Sequence, residues 1–163
     1  YTYLRNMSEG WASVEAKEAP AGTWVVCIVD KDNNVSEHKT GCGLAALIEA
    51  FEPDQVMYGV IRGLGVDEQE NVTSSRPKLV KINWVGDKCG PRVRGRAMGS
   101  KAAIADLWKG VSCDIEASTP TDLTMNIVGL ALLKSGAAHK PTKYQFSETE
   151  SIPLTDVVQN AES

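Results

Sequence analysis

A run of seven apolar or β-branched residues, Thr23–Val29, constrains the fold more than any other part of the sequence. A run without polar alternation is typical of a strand that is buried on both faces. The cluster of Asp and Asn residues at 30–34 predicts a turn. The shorter and more polar segment 35–40 then predicts the return strand of a hairpin. The chain is therefore expected to build a sheet around a fully buried strand.

Helical and strand patterns follow one another along the chain. Near the beginning, Leu4, Met7, Trp11 and Val14 recur at the spacing of one helix face. The patterns predict, in chain order, a helix within 1–20, strands at 23–29 and 35–40, a helix at 43–51, strands at 55–62 and 78–85, a helix at 98–108, a strand at 111–115 and a helix at 121–135. Strands joined by short links pair antiparallel, whereas the strand reached through the 98–108 helix can run parallel to its predecessor. The predicted fold class is α/β (α+β), with helices packed on a mixed sheet.

Three segments are rich in turn residues and predict irregular structure. Residues 63–76 are polar and acidic and predict a loop, and residues 86–95 predict a second loop before the 98–108 helix. The last ~25 residues contain Pro141 and Pro153 and predict an irregular tail with at most a short terminal helix. No linker divides the chain, so we expect one domain.

Composition and charge exclude several classes of partner. The chain has 163 residues and a formal net charge of −4, and an acidic protein is poorly suited to the phosphates of nucleic acid. No signal peptide is recognisable, and no apolar run approaches the ~18–20 residues of a membrane span, so no membrane association is expected. The four cysteines lack the spacing of a metal site and predict free thiols in a reducing cytoplasm; they are Cys27, Cys42, Cys89 and Cys113.

The sequence contains no convincing constellation for catalysis. Residues 95–101 look like a phosphate-binding loop, but the glycine spacing is wrong and Ala102 stands where a magnesium-binding hydroxyl is needed. His38 and His139 have no acidic partner that would prepare them for proton transfer. The acidic residues at 67–70 lack the regular ligand spacing of a calcium loop. We therefore expect a protein that is not an enzyme and that has no cofactor or metal.

A cluster of basic residues is the strongest functional signal. Eight of the seventeen Lys and Arg residues fall within residues 76–101, where only Asp87 opposes them. The members of this cluster are Arg76, Lys78, Lys81, Lys88, Arg92, Arg94, Arg96 and Lys101. Such a cluster is either a solvated loop or a surface that attracts an acidic partner.

Four segments resemble one protein family, and the first of them is the Trp-containing strand 23–29 with the Asp-Lys-Asp-Asn-Asn turn at 30–34. The strand Lys-Leu-Val-Lys-Ile-Asn-Trp-Val-Gly-Asp at 78–87 resembles the coactosin, drebrin and actin-binding-protein-1 branch of the actin-depolymerising-factor homology family. The basic stretch 91–101 resembles the start of that family's long helix, with Gly95 where the family has Ala and Met98 where it has Gly. Residues 121–138 resemble its last helix. This resemblance assigns residues 1–145 to the family domain and 146–163 to a C-terminal tail.

The resemblance implies both a fold and a function. The fold it implies is a central mixed sheet of five or six strands flanked by helices on both faces. The function is binding to actin, filamentous ahead of monomeric, by a monomeric cytoplasmic protein of the cytoskeleton. Lys78 falls on a basic position that coactosin uses for filaments, while Arg94, Arg96 and Lys101 fall on the basic sites of the long helix. The same hypothesis takes Arg76, Lys81 and Arg92 as further actin contacts.

Two alternatives remain open at this point. One is a cofilin-like protein that binds actin monomers and severs or disassembles filaments. The other is a divergent domain that binds a protein other than actin, because the predicted last helix is nearly uncharged and the tail matches nothing in the family.

Overall fold

The computed structural model describes residues 2–136 and 140–157, with the side chains of residues 2–8 excepted. The described elements alternate between helices and strands. In chain order they are α1 (Thr2–Glu15), β1 (Thr23–Val29), β2 (Val35–Cys42), α2 (Leu44–Ala50), β3 (Val56–Gln69), β4 (Val72–Val85), α3 (Pro91–Leu107), β5 (Cys113–Ala117), a 3-10 turn (Pro120–Leu123), α4 (Met125–Ser135), β6 (Lys143–Gln145) and β7 (Ser151–Pro153).

The sheet is mixed, as the sequence predicts. Its main path runs β2-β1-β3-β4-β5, and the short β6 and β7 extend it from β3. All pairs are antiparallel except β4 with β5, which is reached through α3 and is parallel. The predicted parallel connection is therefore confirmed, and it follows from the crossover helix between the two strands.

Two apolar cores lie on the two faces of this sheet, and β1 contributes to both. Trp24 and Val26 point into the core beneath α2 and α4. Val25 and Cys27 point into the core beneath α1 and α3, where Trp11 stacks on Trp108 with ring centroids 6.1 Å apart. The prediction that β1 is buried on both faces is thus confirmed.

The predicted loop at 63–76 is wrong, because β3 and β4 stay paired through it as a long ribbon. Their register continues from Gly63 opposite Lys78 to Gln69 opposite Val72. One glycine there makes space for a side chain packed on the ribbon, since a Cβ on Gly63 would lie 3.0 Å from Phe146 Cε1. Composition alone gives such glycines the appearance of turn residues.

The start of α3 is also corrected. The helix begins at Pro91 rather than at residue 98, because proline suits the first helical position, where an N–H is not needed. The basic residues of the predicted 86–95 loop that follow Pro91 are therefore helical.

The segment beyond β5 differs from its prediction in two ways. A 3-10 turn comes first and α4 begins after Thr124, whose hydroxyl accepts a hydrogen bond from Ile127 N at 3.2 Å. Within the segment predicted as an irregular tail, β7 pairs with β6, and Phe146, Ile152 and Val157 lie in the core beneath α4. A domain boundary at residue 145 stays a prediction, while the core itself continues past it.

Candidate functional site

The exposed face of α3 carries most of the basic residues predicted from the sequence. Arg92, Arg94 and Lys101 are exposed and Arg96 is half-buried. Since residues three and four apart share a helix face, Arg94 and Lys101 lie on one side with Met98 between them. We call the row formed by Arg94, Met98 and Lys101 the α3 row.

Polar contacts hold two of these cations in place. Arg94 Nε donates a hydrogen bond to the carbonyl oxygen of Cys89 at 3.2 Å. Lys101 Nζ lies 3.2 Å from Glu116 Oε1 on the neighbouring strand β5, with both side chains mostly exposed. Such a surface pair stabilises the fold by only about 0–1 kcal/mol, so another acidic group can displace Glu116 with little loss of stability.

Buried polar contacts fix α3 over the sheet. The Tyr58 hydroxyl on β3 and Ser100 Oγ on α3 form a hydrogen bond of 2.7 Å, and Ser100 Oγ also donates to the carbonyl oxygen of Arg96 at 2.8 Å. Burial raises the pKa of the Tyr58 hydroxyl, which therefore stays protonated. These contacts give the α3 row a rigid base.

Alternation along β4 separates its three basic residues. Arg76 and Lys78 share the face that carries Val80 and belongs to the core beneath α2 and α4, so they project from the face of β4 opposite to α3. Arg76 is exposed and Lys78 is half-buried. The structure therefore does not join these two residues to the α3 row.

Lys81 lies on the α3 side of β4 but is not available to a partner. It is only 5% exposed, and its Nζ lies 3.2 Å from Asp114 Oδ2. The neighbouring Asn83 Nδ2 donates to both Asp114 and Glu116, which completes a polar chain from Lys81 to Lys101. The prediction that Lys81 contacts a partner does not fit this burial. The interface that we propose therefore excludes Lys81.

Met98 is a site residue that the basic pattern alone does not reveal. Its side chain is 90% exposed, whereas apolar side chains in the middle of a helix are usually the ones that pack. It precedes Leu107 by nine residues, which at 3.6 residues per turn places it on the opposite side of α3. Once the start of α3 is known, this helical phase predicts from the sequence that Met98 is exposed.

Other kinds of site receive no support from the described residues. Residues 2–136 and 140–157 contain no group of three or more His, Cys, Asp or Glu side chains arranged for a metal ion. His38 lies 3.6 Å from Glu52 at the surface, and His139 is outside the described residues. No helix in the described part of the chain is long and apolar enough to cross a membrane.

Comparisons with known proteins identify the family of the chain and several relatives. Residues 6–130 match the family described as cofilin/tropomyosin-type actin-binding protein. The chain is 24% identical over 152 residues to drebrin-like protein of Mus musculus, covering 93% of this chain but only 32% of that protein. It is 25% identical over 109 residues to coactosin of Dictyostelium discoideum, covering 66% of this chain and 72% of that protein.

A solved structure shows the same fold. The crystal structure of coactosin from Entamoeba histolytica matches with a TM-score of 0.68 at 20% identity, covering 80% of this chain and 93% of that one. The predicted mixed sheet with helices on both faces is therefore confirmed. At this identity the likeness concerns the fold alone.

Proposed function

Because the chain belongs to the cofilin/tropomyosin-type actin-binding family, we propose that it binds actin filaments through the α3 row, with Arg76 and Lys78 as a separate contact. In this proposal it regulates the actin cytoskeleton of the cytoplasm by binding, without a catalytic step. The family resemblance seen in the sequence is confirmed, and coactosin and drebrin-like protein are among the relatives of this chain.

The observation that carries the proposal is the exposure of Met98 between two cations. Interfaces concentrate their binding energy in a few apolar or Arg anchors that are surrounded by polar contacts. Met98 protrudes from the middle of α3, and Arg94 and Lys101 lie about one turn before it and one turn after it on the same side. An acidic partner surface with an apolar pocket would match this arrangement.

The position of Arg76 and Lys78 favours a filament over a single actin monomer. They project from the face of β4 opposite to α3, so one flat surface cannot easily cover both basic regions. A filament offers surfaces of more than one subunit. Arg92 and Arg96 flank the α3 row and add to its positive field.

Co-sedimentation with filamentous actin tests the proposal. The wild type should pellet with filaments at low salt and less at high salt, since screening weakens attraction between exposed charges. Met98→Asp should weaken binding at least about tenfold, whereas Lys109→Ala, an exposed residue just beyond α3, should have little effect. The proposal is wrong if the wild type does not pellet at either salt concentration.

A second assay distinguishes decoration from disassembly. In a pyrene-actin assay, binding without faster loss of filaments agrees with our proposal. Faster disassembly would instead indicate the cofilin-like alternative.

A further inference from the structure

A cationic cleft lies beside the α3 row and includes a lysine that does not belong to α3. Its volume is about 430 Å³, and its walls are formed by the β1–β2 turn on one side and the first turns of α3 on the other. The lining residues are Lys31, Asn33, Arg92, Gly95 and Arg96. Residues more than 50 positions apart in the chain therefore share one surface feature.

The turn side of the cleft is held in a fixed shape. Asp30 Oδ1 accepts hydrogen bonds from the backbone N–H of Asp32 at 2.8 Å and of Asn34 at 2.9 Å. Asn33 between them has a φ of 63°, a left-handed conformation that Asn tolerates better than most residues. The turn therefore presents Lys31 and Asn33 from a defined backbone.

The helix side is fitted closely to that turn. A Cβ on Gly99 would lie only 2.8 Å from Asn33 Nδ2, so the glycine lets the Asn33 side chain lie directly against α3. Arg96 Nη1 donates to the carbonyl oxygen of Val29, the last residue of β1, at 3.3 Å. This hydrogen bond orients the Arg96 guanidinium and links α3 to the β1–β2 hairpin.

The charge in the cleft is only partly balanced from within. Lys31 and Arg92 are exposed, and within the described residues neither has an ion-pair partner. Asp30 in the turn has a lowered pKa, chiefly because of the hydrogen bond from Asn34 N–H and to a smaller extent because of the charge of Arg96. Three cationic side chains thus border a space with no carboxylate in its lining.

We infer that this cleft receives acidic side chains of the same actin partner, with Lys31 as an interface residue outside α3. This inference rests on the proposed function and extends it from one helix to a contact made by two elements. A carboxylate in the cleft would meet Lys31 from the turn and Arg92 and Arg96 from the helix. Charge-assisted hydrogen bonds of this kind are roughly twice as strong as neutral ones.

Charge reversal at Lys31 tests the cleft. Lys31→Glu should lower filament affinity at least about fivefold at low salt, because like charges across an interface are strongly unfavourable. The matched control is Lys39→Glu on β2, an exposed lysine outside the cleft that undergoes the same charge change. Thermal unfolding of both variants should match the wild type, since both residues are exposed.

The outcomes separate this inference from the function itself. A loss at Lys31→Glu that Lys39→Glu does not share, and that shrinks at high salt, supports the cleft. If the two variants bind filaments equally while Met98→Asp does not bind, the cleft assignment is wrong and the proposed function stands. If the wild type fails to pellet, the proposed function fails and the cleft assignment fails with it.

Discussion

Gly63 on β3 and Phe146 beyond β6 are packed so closely that a Cβ on residue 63 would lie 3.0 Å from Phe146 Cε1. Phe146 is fully buried in the core beneath α2 and α4. Its backbone N–H donates to the carbonyl oxygen of Glu150 at 2.7 Å. The Glu150 carboxylate in turn accepts from Leu44 N and Ala45 N at the start of α2. These contacts attach residues 146–150 to the sheet and to the start of α2.

Truncation of the Phe146 side chain should destabilise the whole domain. Phe146→Ala removes a fully buried aromatic side chain, and such changes lower the free energy of unfolding by about 3–5 kcal/mol. Urea denaturation followed by tryptophan fluorescence measures the change. Glu148→Ala, an exposed residue two positions away, is the control. An effect of Phe146→Ala no larger than that of the control would mean that the segment beyond β6 is dispensable.

The sequence predicts elements well where apolar periodicity is strong. Thr23–Val29 forms β1 as expected, because burial on both faces requires an unbroken apolar run. The start of α3 is missed because its first two turns consist mainly of Arg and Gly residues, and only the small side chains of Val93 and Ala97 pack on the core. The three-residue strands β6 and β7 are too short to show any period.

The candidate site is predicted in its charge but not in its geometry. The basic cluster is visible in the sequence, yet both faces of β4 carry apolar residues. The alternation of residues along β4 therefore does not show that Lys78 stays partly exposed while Lys81 is enclosed. Lys31 looks like an ordinary turn residue until the fold places it beside Arg92.

Replacement of Lys81 should not affect filament binding. Lys81→Met keeps most of the buried stem and removes the ammonium group that pairs with Asp114. Filament affinity should change by no more than about twofold, because a buried ammonium group makes no contact with actin that the substitution could remove. Lys101→Met, the same change at an exposed position, should weaken binding measurably in the same co-sedimentation series. Equal losses at the two positions would return Lys81 to the interface.

Stability should depend on Asp122 in the acid range. Asp122 Oδ2 accepts hydrogen bonds from Ser118 N at 2.9 Å and Thr119 N at 3.1 Å, and the former is the main reason that its pKa is lowered. Because the folded pKa lies below the unfolded one, the stabilisation is present above about pH 4 and disappears as the pH falls through the folded pKa.

The corresponding variant is Asp122→Asn. At pH 7 it should lose about 0.5–1 kcal/mol of unfolding free energy, the low end of the range for capping residues because the carboxylate is close to solvent. The difference from wild type should shrink as the pH falls through the folded pKa of Asp122. Denaturation at several pH values measures it, with Asp32→Asn in the β1–β2 turn as the control. A difference that stays constant with pH would contradict an electrostatic origin.

Removal of the Glu116 charge should strengthen filament binding through Lys101. Glu116 Oε1 lies 3.2 Å from Lys101 Nζ, so the acid competes with an acidic partner for this ammonium group. Glu116→Gln should raise affinity about two- to threefold at low salt, since exposed pairs are worth about 0.2–1 kcal/mol. Glu49→Gln on α2 makes the same change in net charge away from α3 and should raise filament affinity less than Glu116→Gln does.

A double-mutant cycle shows whether Lys101 carries this gain. In a Lys101→Ala background, Glu116→Gln should no longer increase filament affinity beyond the effect of Glu49→Gln. A gain that persists without Lys101 would mean that Glu116 repels the partner directly and does not mask the lysine. A loss of affinity in Glu116→Gln alone would mean that the acid positions Lys101 productively, and the competition between Glu116 and the partner would then be rejected.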